Sequence, residues 1–418
     1  MRRVLPPLTI AFVVATFVVG LVLDARGERL GTPLPPLLFD VDPEAVLGYA
    51  VLAAVLLGAG VAGATRLRAL GPKAFAAAIL GLALVLRLAV GAARSGPGAW
   101  DAPFDESFEA KNEYLPALRA LDHGATWFLD RFAELVPALP VHAAGHPPGL
   151  VLTFHWLGID SPEPAAALVV ALGVLAVPLT YALARRLLDE QRARTAGLLS
   201  AFAPATTLYG VTSADAAYAG IGAAAAVLLL AAPRVAGPAA LALASFFSYA
   251  LLAIGAWAAL VQAQREGPRR AIALAAACAL ALVAFYAALY ALTGFELPET
   301  LRATEEVYGN SVARLRPYEF WLFGSPAAFL AFLGLPLAWY AARAAGARHP
   351  AALALAAVIV ISAVGGFTKA ETERIWLMYV PLACVAAAAA LPERHVRPVL
   401  ALLALQALAV ELLFGTVW

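Results

Sequence analysis

Charge is what this sequence has least of. Only 14% of its 418 residues are Asp, Glu, Lys or Arg, while 62% are hydrophobic. That ratio excludes a water-soluble domain of this length, because so little polar surface could not cover so large an apolar interior. Neither sign dominates, the formal net charge being +1, and nothing in the balance points to nucleic acid. Cysteine is almost missing too. Cys278 and Cys384 both fall inside apolar runs, so there is no disulfide framework and no information about redox compartment.

What the chain has instead is a series of apolar runs, each long enough to cross about 30 Å of hydrocarbon. They lie at 4–23, 44–64, 73–92, 164–185, 195–212, 215–232, 269–292, 319–343, 350–366, 375–391 and 398–415. The expected fold class is an all-α polytopic membrane protein. The first run follows Arg2 and Arg3 as a signal peptide would, but no small-x-small cleavage site closes it, and it reads as a retained span. Abundant alanine and glycine permit close helix packing.

The positive-inside rule orients the runs. Arg2 and Arg3, then Arg66, Arg68 and Lys73, then Arg185, Arg186, Arg192 and Arg194 all fall on one side if the N-terminus is cytoplasmic. The run 238–262 breaks the count, because Arg234 precedes it and Arg265, Arg269 and Arg270 follow it. A hairpin of two short helices folding back near "FFSY" keeps both groups inside and brings the expected total to about 13 membrane helices, with the C-terminus outside. Parity then places 93–147, 212–215, 293–318 and 365–374 outside.

Those outer segments carry the unusual residues. Asp101, Asp105, Glu106, Glu109 and Glu113 crowd the start of the first. They read either as a solvated acidic loop or as the source of a general base, one carboxylate losing part of its solvation at the bilayer surface. Apolar residues at 115, 118 and 121 and at 128, 132 and 135 give the same loop an amphipathic helical texture. In "HPPG", 146–149, the prolines suit the first turn of a helix, and His146 is either incidental to that start or part of a site. His142 and His146 have i, i+4 spacing, but Gly145 and Pro147 break the helix that would align them on a metal. No metal site is assigned.

Ser213 reads as a helix cap and Asp215 as a dipole partner at the start of 215–232. "FTKAETERIW" packs Lys369, Glu371, Glu373 and Arg374 into six residues. Positive charge there runs against the inside bias and suggests an anionic ligand such as a phosphate, the alternative being a salt-bridged turn between two helices. Arg87, in "LVLRLAV", stands about one and a half turns from the outer end of its run, close enough to snorkel outward.

The order of these motifs resembles a family. "LRLAVG" closes a span, "FDESFEAKNEY" follows in the first outer loop, "HPPG" opens a helical segment, "SAD" starts a later span, and "LASFFSYALL" forms a hairpin. Across roughly 75–370 the chain looks like the GT-C superfamily of membrane glycosyltransferases, and is most similar to the protein O-mannosyltransferase, aminoarabinose transferase and rhizobial lipopolysaccharide transferase group. Gly149 stands where leucine is frequent after "HPP", and two additional spans come first. The resemblance implies two N-terminal membrane spans over 1–72 and a catalytic domain over 73–418.

It also implies a reaction: transfer of a sugar from a polyprenyl-phosphate donor to a hydroxyl on a glycan, lipid or protein acceptor, with inversion, at the extracytoplasmic face of a bacterial plasma membrane. Asp105 or Glu106 would be the base and Asp215 the second acidic site. His146 would line the cavity. Arg87, Lys369, Glu373 and Arg374 would bind substrate, with the cations on the phosphate. Membrane lipid is the remaining partner, no nucleic acid is expected, and neither a cofactor nor a divalent cation is indicated. A lipid or glycan transporter is the alternative function, and a structural subunit with a decayed site is a third.

Overall fold

The computed structural model describes residues 3–105, 109–211, 213–366 and 368–416. Among these, eight helices are long and apolar enough to cross a membrane. A ninth is obtained by joining Tyr318–Leu333 to Leu335–Gly346, two helices that meet at a bend of 111°. This is an all-α polytopic membrane protein.

The expected thirteen segments are all helical, yet several are too short or too broken to count as spans. Run 195–212 divides at Ala203 and Pro204 into Glu190–Phe202 and Pro204–Leu208, because a proline ring leaves no helical N–H and disfavours α geometry in the residue before it. Pro350–Gly365 is only 16 residues long. Run 238–262 is interrupted at "FFSY" as expected, giving Ala236–Ser245 and Leu252–Glu266. Its two legs pack together where a Cβ on Gly255 would stand 2.5 Å from Leu241 Cδ2.

The chain forms two compact units, and they do not divide at 72/73. Unit 1 comprises 1–100, 169–227 and 316–418; unit 2 comprises 101–168 and 228–315. The first two helices, Leu5–Ala25 and Leu47–Leu67, pack within unit 1 against Tyr318–Gly346 and against Pro72–Ser95 and Val396–Leu413.

The centre of unit 1 is Thr372–Ala390, whose alanine-rich second half is buried from Val380 to Ala388. Small side chains let neighbouring helices approach closely. The helices 162–174 and 214–231 cross where a Cβ on Gly173 would come within 2.7 Å of the Ala216 side chain. The loops of this unit gather at the two ends of its helices. At one end Arg94 donates to the carbonyls of Asp42 and Phe414 at 2.7 and 3.0 Å and pairs with Glu44 at 3.2 Å, while Asp40–Val41 runs antiparallel to Phe414–Gly415. At the other end Arg68 pairs with Glu393, and Arg194 donates to the Arg68 carbonyl at 2.6 Å. Leu47–Leu67, with 21 residues, separates these ends by about 30 Å at 1.5 Å per residue. Within unit 1, residues 40–44, 94 and 414–415 thus share one end and 68, 194 and 393 the other.

Unit 2 has an aromatic centre. Phe132, Phe246, Phe285, Tyr286 and Phe295 contact one another in turn, with centroids 5.1 to 6.3 Å apart, spacings at which edge-to-face and offset rings attract. The loop after residue 96 is a chain of short helical turns rather than long amphipathic helices. Phe128 and Phe132 are fully buried and Leu121 nearly so, so its apolar stripe serves the interior of unit 2. Leu297–Asn310 packs on it, Thr304 Oγ1 donating to the Ala144 carbonyl at 3.2 Å.

Candidate functional site

In unit 1 the chemistry collects around the connector 209–215 and the turn 368–374. Ser213 caps the helix that follows: its hydroxyl accepts from the Asp215 N–H at 3.2 Å and donates to Asp215 Oδ2 at 3.0 Å. Asp215 also accepts from Arg374 Nη1 at 2.7 Å, both side chains being about 5% exposed. Dipole complementation describes only part of its role, since it is one half of a buried ion pair.

The turn 368–374 is tightly tied. Arg374 Nη2 donates to Glu371 at 3.0 Å, and Arg316 Nη2 donates to the other Glu371 oxygen at 2.8 Å. Arg316 Nη1 donates to the Lys369 carbonyl at 2.6 Å while Lys369 Nζ returns a bond to the Arg316 carbonyl at 2.9 Å. Ala370 and Glu371 both have positive φ, 70° and 59°, a conformation that costs a non-glycine residue on the order of 1 kcal/mol. The two arginines on Glu371 and the burial of Ala370 against Leu30, Phe320 and Trp321 hold it.

The expected surplus of positive charge is corrected by this geometry. Arg316 and Arg374 are paired with Glu371 and Asp215, while Lys369 Nζ is turned onto the Arg316 carbonyl. Glu373 is also reassigned. It is buried, and its Oε1 accepts from the Leu38 N–H at 3.3 Å, fastening the segment between the first two helices.

Arg87 is the exception. It does not snorkel: it is 2% exposed. Its Nη1 makes one long bond, 3.4 Å, to the Gly210 carbonyl, its Nε has no partner, and no carboxylate among the described residues lies within ion-pair distance. Gly210 is required there, since a Cβ would stand 2.6 Å from Arg87 Nε. The space beside it, lined also by Thr206 and Ser200, is about 10 Å³, room for no more than a water molecule.

Unit 2 holds the other candidates. Asp105 ends the 3₁₀ turn Ala102–Phe104. It is exposed, and its carboxylate has no hydrogen-bond or ion-pair partner among the described residues, so the expected loss of solvation is absent. Glu106 lies outside the described residues. Glu109 and Glu113 are the buried members of the acidic run, 8% and 1% exposed. His142 Nε2 lies 2.8 Å from Glu109 and 3.9 Å from Glu113, and Tyr114 stands beside both His142 and His146 with centroids 6.4 and 6.3 Å away. The i, i+4 spacing of Glu109 with Glu113 was a signal for this pairing. No group of three or more His, Cys, Asp or Glu among the described residues has metal-holding geometry.

His146 follows the turn Val141–Gly145, and the next helix starts at Gly149 with Pro148 as its cap. The prolines thus precede the first turn instead of forming it. Gly149 is explained by the broken segment: its N–H donates to the Phe246 carbonyl at 3.0 Å, and a Cβ would collide with that oxygen. A leucine does not fit here.

Compared with protein-family models, curated proteins and solved structures, the chain matches none.

Proposed function

We propose that the chain is a membrane glycosyltransferase that moves a sugar from a polyprenyl phosphate to an acceptor hydroxyl, with inversion, at the extracytoplasmic face. The observation that carries this reading is Arg87. A buried guanidinium without a carboxylate is costly, and proteins pair such charges or reserve them for a ligand. Arg316 and Arg374 are held by Glu371 and Asp215, so Arg87 is a cation left for a phosphate. The 10 Å³ beside it admits no phosphate, so the reading requires Gly210 to withdraw from Arg87 when donor binds.

In the reaction the acceptor oxygen attacks the anomeric carbon while the bond from that carbon to the phosphate oxygen breaks. A carboxylate removes the acceptor proton, and Asp105, whose carboxylate is exposed, is assigned this task on the resemblance alone. The leaving polyprenyl phosphate departs as an anion, so it needs a cation more than an acid. Asp215 acts through Arg374 as a positioning residue. His146 is assigned to the acceptor side.

A lipid or glycan transporter is the second reading. Arg87 and Glu411, both buried within candidate spans, favour it, because intramembrane charges commonly mark transport paths. The test is incubation of protein in nanodiscs with a panel of polyprenyl-phosphate sugars and acceptors, measuring released polyprenyl phosphate. Release that falls at least about tenfold in Arg87→Ala, with partial recovery in Arg87→Lys, is expected. Movement of intact donor across proteoliposomes without release would select the transporter.

A further inference from the structure

Unit 2 contains a cavity that the proposed chemistry does not use. Its volume is about 650 Å³, within the range of about 300–1,000 Å³ typical of ligand sites. Leu282, Val283 and Ala287 of Pro268–Thr293 form one wall, and Leu252 faces them from the second leg of the broken segment. Of the 26 residues in that long helix only Leu274 and Cys278 are buried, and Val283 is 67% exposed. In a bilayer the cavity therefore opens onto hydrocarbon, and an alkyl chain enters without crossing water.

The lining is apolar except for two features. Ser245 and Tyr286 share a hydrogen bond of 3.0 Å, and beside them the Tyr249 hydroxyl is buried with no partner among the described residues. A buried phenol normally finds a partner, so Tyr249 is a donor without its acceptor. The charged lining residues are Glu296 and Glu299, with no Lys, Arg or His. Arg302 pairs with Glu299, which leaves Glu296 to repel an anionic head.

We infer that this cavity binds a lipid with an alkyl chain and an uncharged head bearing hydroxyl or ester oxygens, a ligand different in class from an anionic polyprenyl phosphate. The chain lies along Leu282, Val283 and Ala287, and a head oxygen accepts from Tyr249. Nothing in this inference depends on the glycosyl-transfer reading.

The test uses the full chain in phosphatidylcholine nanodiscs with a diazirine-bearing monoacylglycerol, mapping photo-adducts by peptide mass spectrometry. Adducts are expected on Leu252 and on 282–287. Unlabelled monoacylglycerol should compete at least about tenfold better than lysophosphatidate of the same chain, and Glu296→Gln should narrow that difference. Tyr249→Phe should weaken labelling about threefold to tenfold, the loss of one hydrogen bond. Ala287→Trp should fill the cavity and abolish labelling; if it does not fold, Tyr249→Phe decides. Equal labelling of the exposed face of Leu5–Ala25, equal competition by lysophosphatidate, or undiminished labelling in Tyr249→Phe would each overturn the inference.

Discussion

The Asp215–Arg374 pair makes an asymmetric prediction. Asp215→Asn removes a charge but leaves Arg374 with Glu371 at 3.0 Å and Ser213 at 3.4 Å, and the new amide oxygen still accepts. Its cost should be about 1–2 kcal/mol, the scale of one weakened charged hydrogen bond. Arg374→Met is different. It leaves Asp215, 5% exposed, without its cation, and breaking a buried pair from that side costs about 3–5 kcal/mol. Glu371 loses less, because Arg316 still holds it at 2.8 Å. Neutralising the orphan in Asp215→Asn/Arg374→Met should then recover about 2–3 kcal/mol relative to Arg374→Met alone. The assay is reversible unfolding in mixed micelles of mild detergent and dodecyl sulfate, followed by tryptophan fluorescence; Trp376, fully buried two residues from Arg374, is a local reporter. Equal costs for the two single variants, or simple additivity in the double variant, would refute the assignment of Arg374 as the structural partner of Asp215.

Asp105→Asn should lower turnover by about 10²–10⁴ with stability unchanged, since an exposed side chain without partners contributes little to folding; release of polyprenyl phosphate at a normal rate would remove it as the base. Gly149→Ala should destabilise by about 1–3 kcal/mol, because its methyl must displace the Phe246 carbonyl, and a thermal midpoint indistinguishable from the parent would contradict that contact. Glu190 supplies the pH dependence. Burial raises its pKa, but hydrogen bonds from Tyr181 and Arg194 and the charges of Arg185 and Arg194 outweigh it, so the pKa is lowered from 4.5. A depressed folded pKa gives stability that is present above the unfolded value and lost as pH falls through the folded one. Protection of the amides over 186–196, measured against their intrinsic exchange rates, should therefore fall as pH drops below 4.5, and Glu190→Gln should flatten that change.

The membrane-spanning architecture was legible in the sequence because helix formation in lipid is a local matter. With no water in the hydrocarbon, each segment must satisfy its own backbone groups, so apolar length alone located the long apolar helices. The break at "FFSY" and the Ser213 cap were legible for the same reason, each depending on a few adjacent residues. The lengths of the broken runs were less so, since Pro204 and the 111° bend after Leu333 matter only once neighbouring helices accept them.

The charge pairing belonged to the tertiary structure. Lys369, Glu373 and Arg374 were visible as an anomaly, but the partners of this turn were not: Asp215 lies 159 positions from Arg374, and Arg316 lies 55 from Glu371. Arg87 had the spacing of a snorkelling residue until Gly210 met it, and Gly149 looked like an ordinary departure until Phe246 met its backbone. The sequence by itself located the long apolar helices, because apolar length is a property of each segment alone. Which charges pair, that Arg87 meets no carboxylate among the described residues, and where a cavity remains depend on which helix faces meet, and only the packed structure decided that.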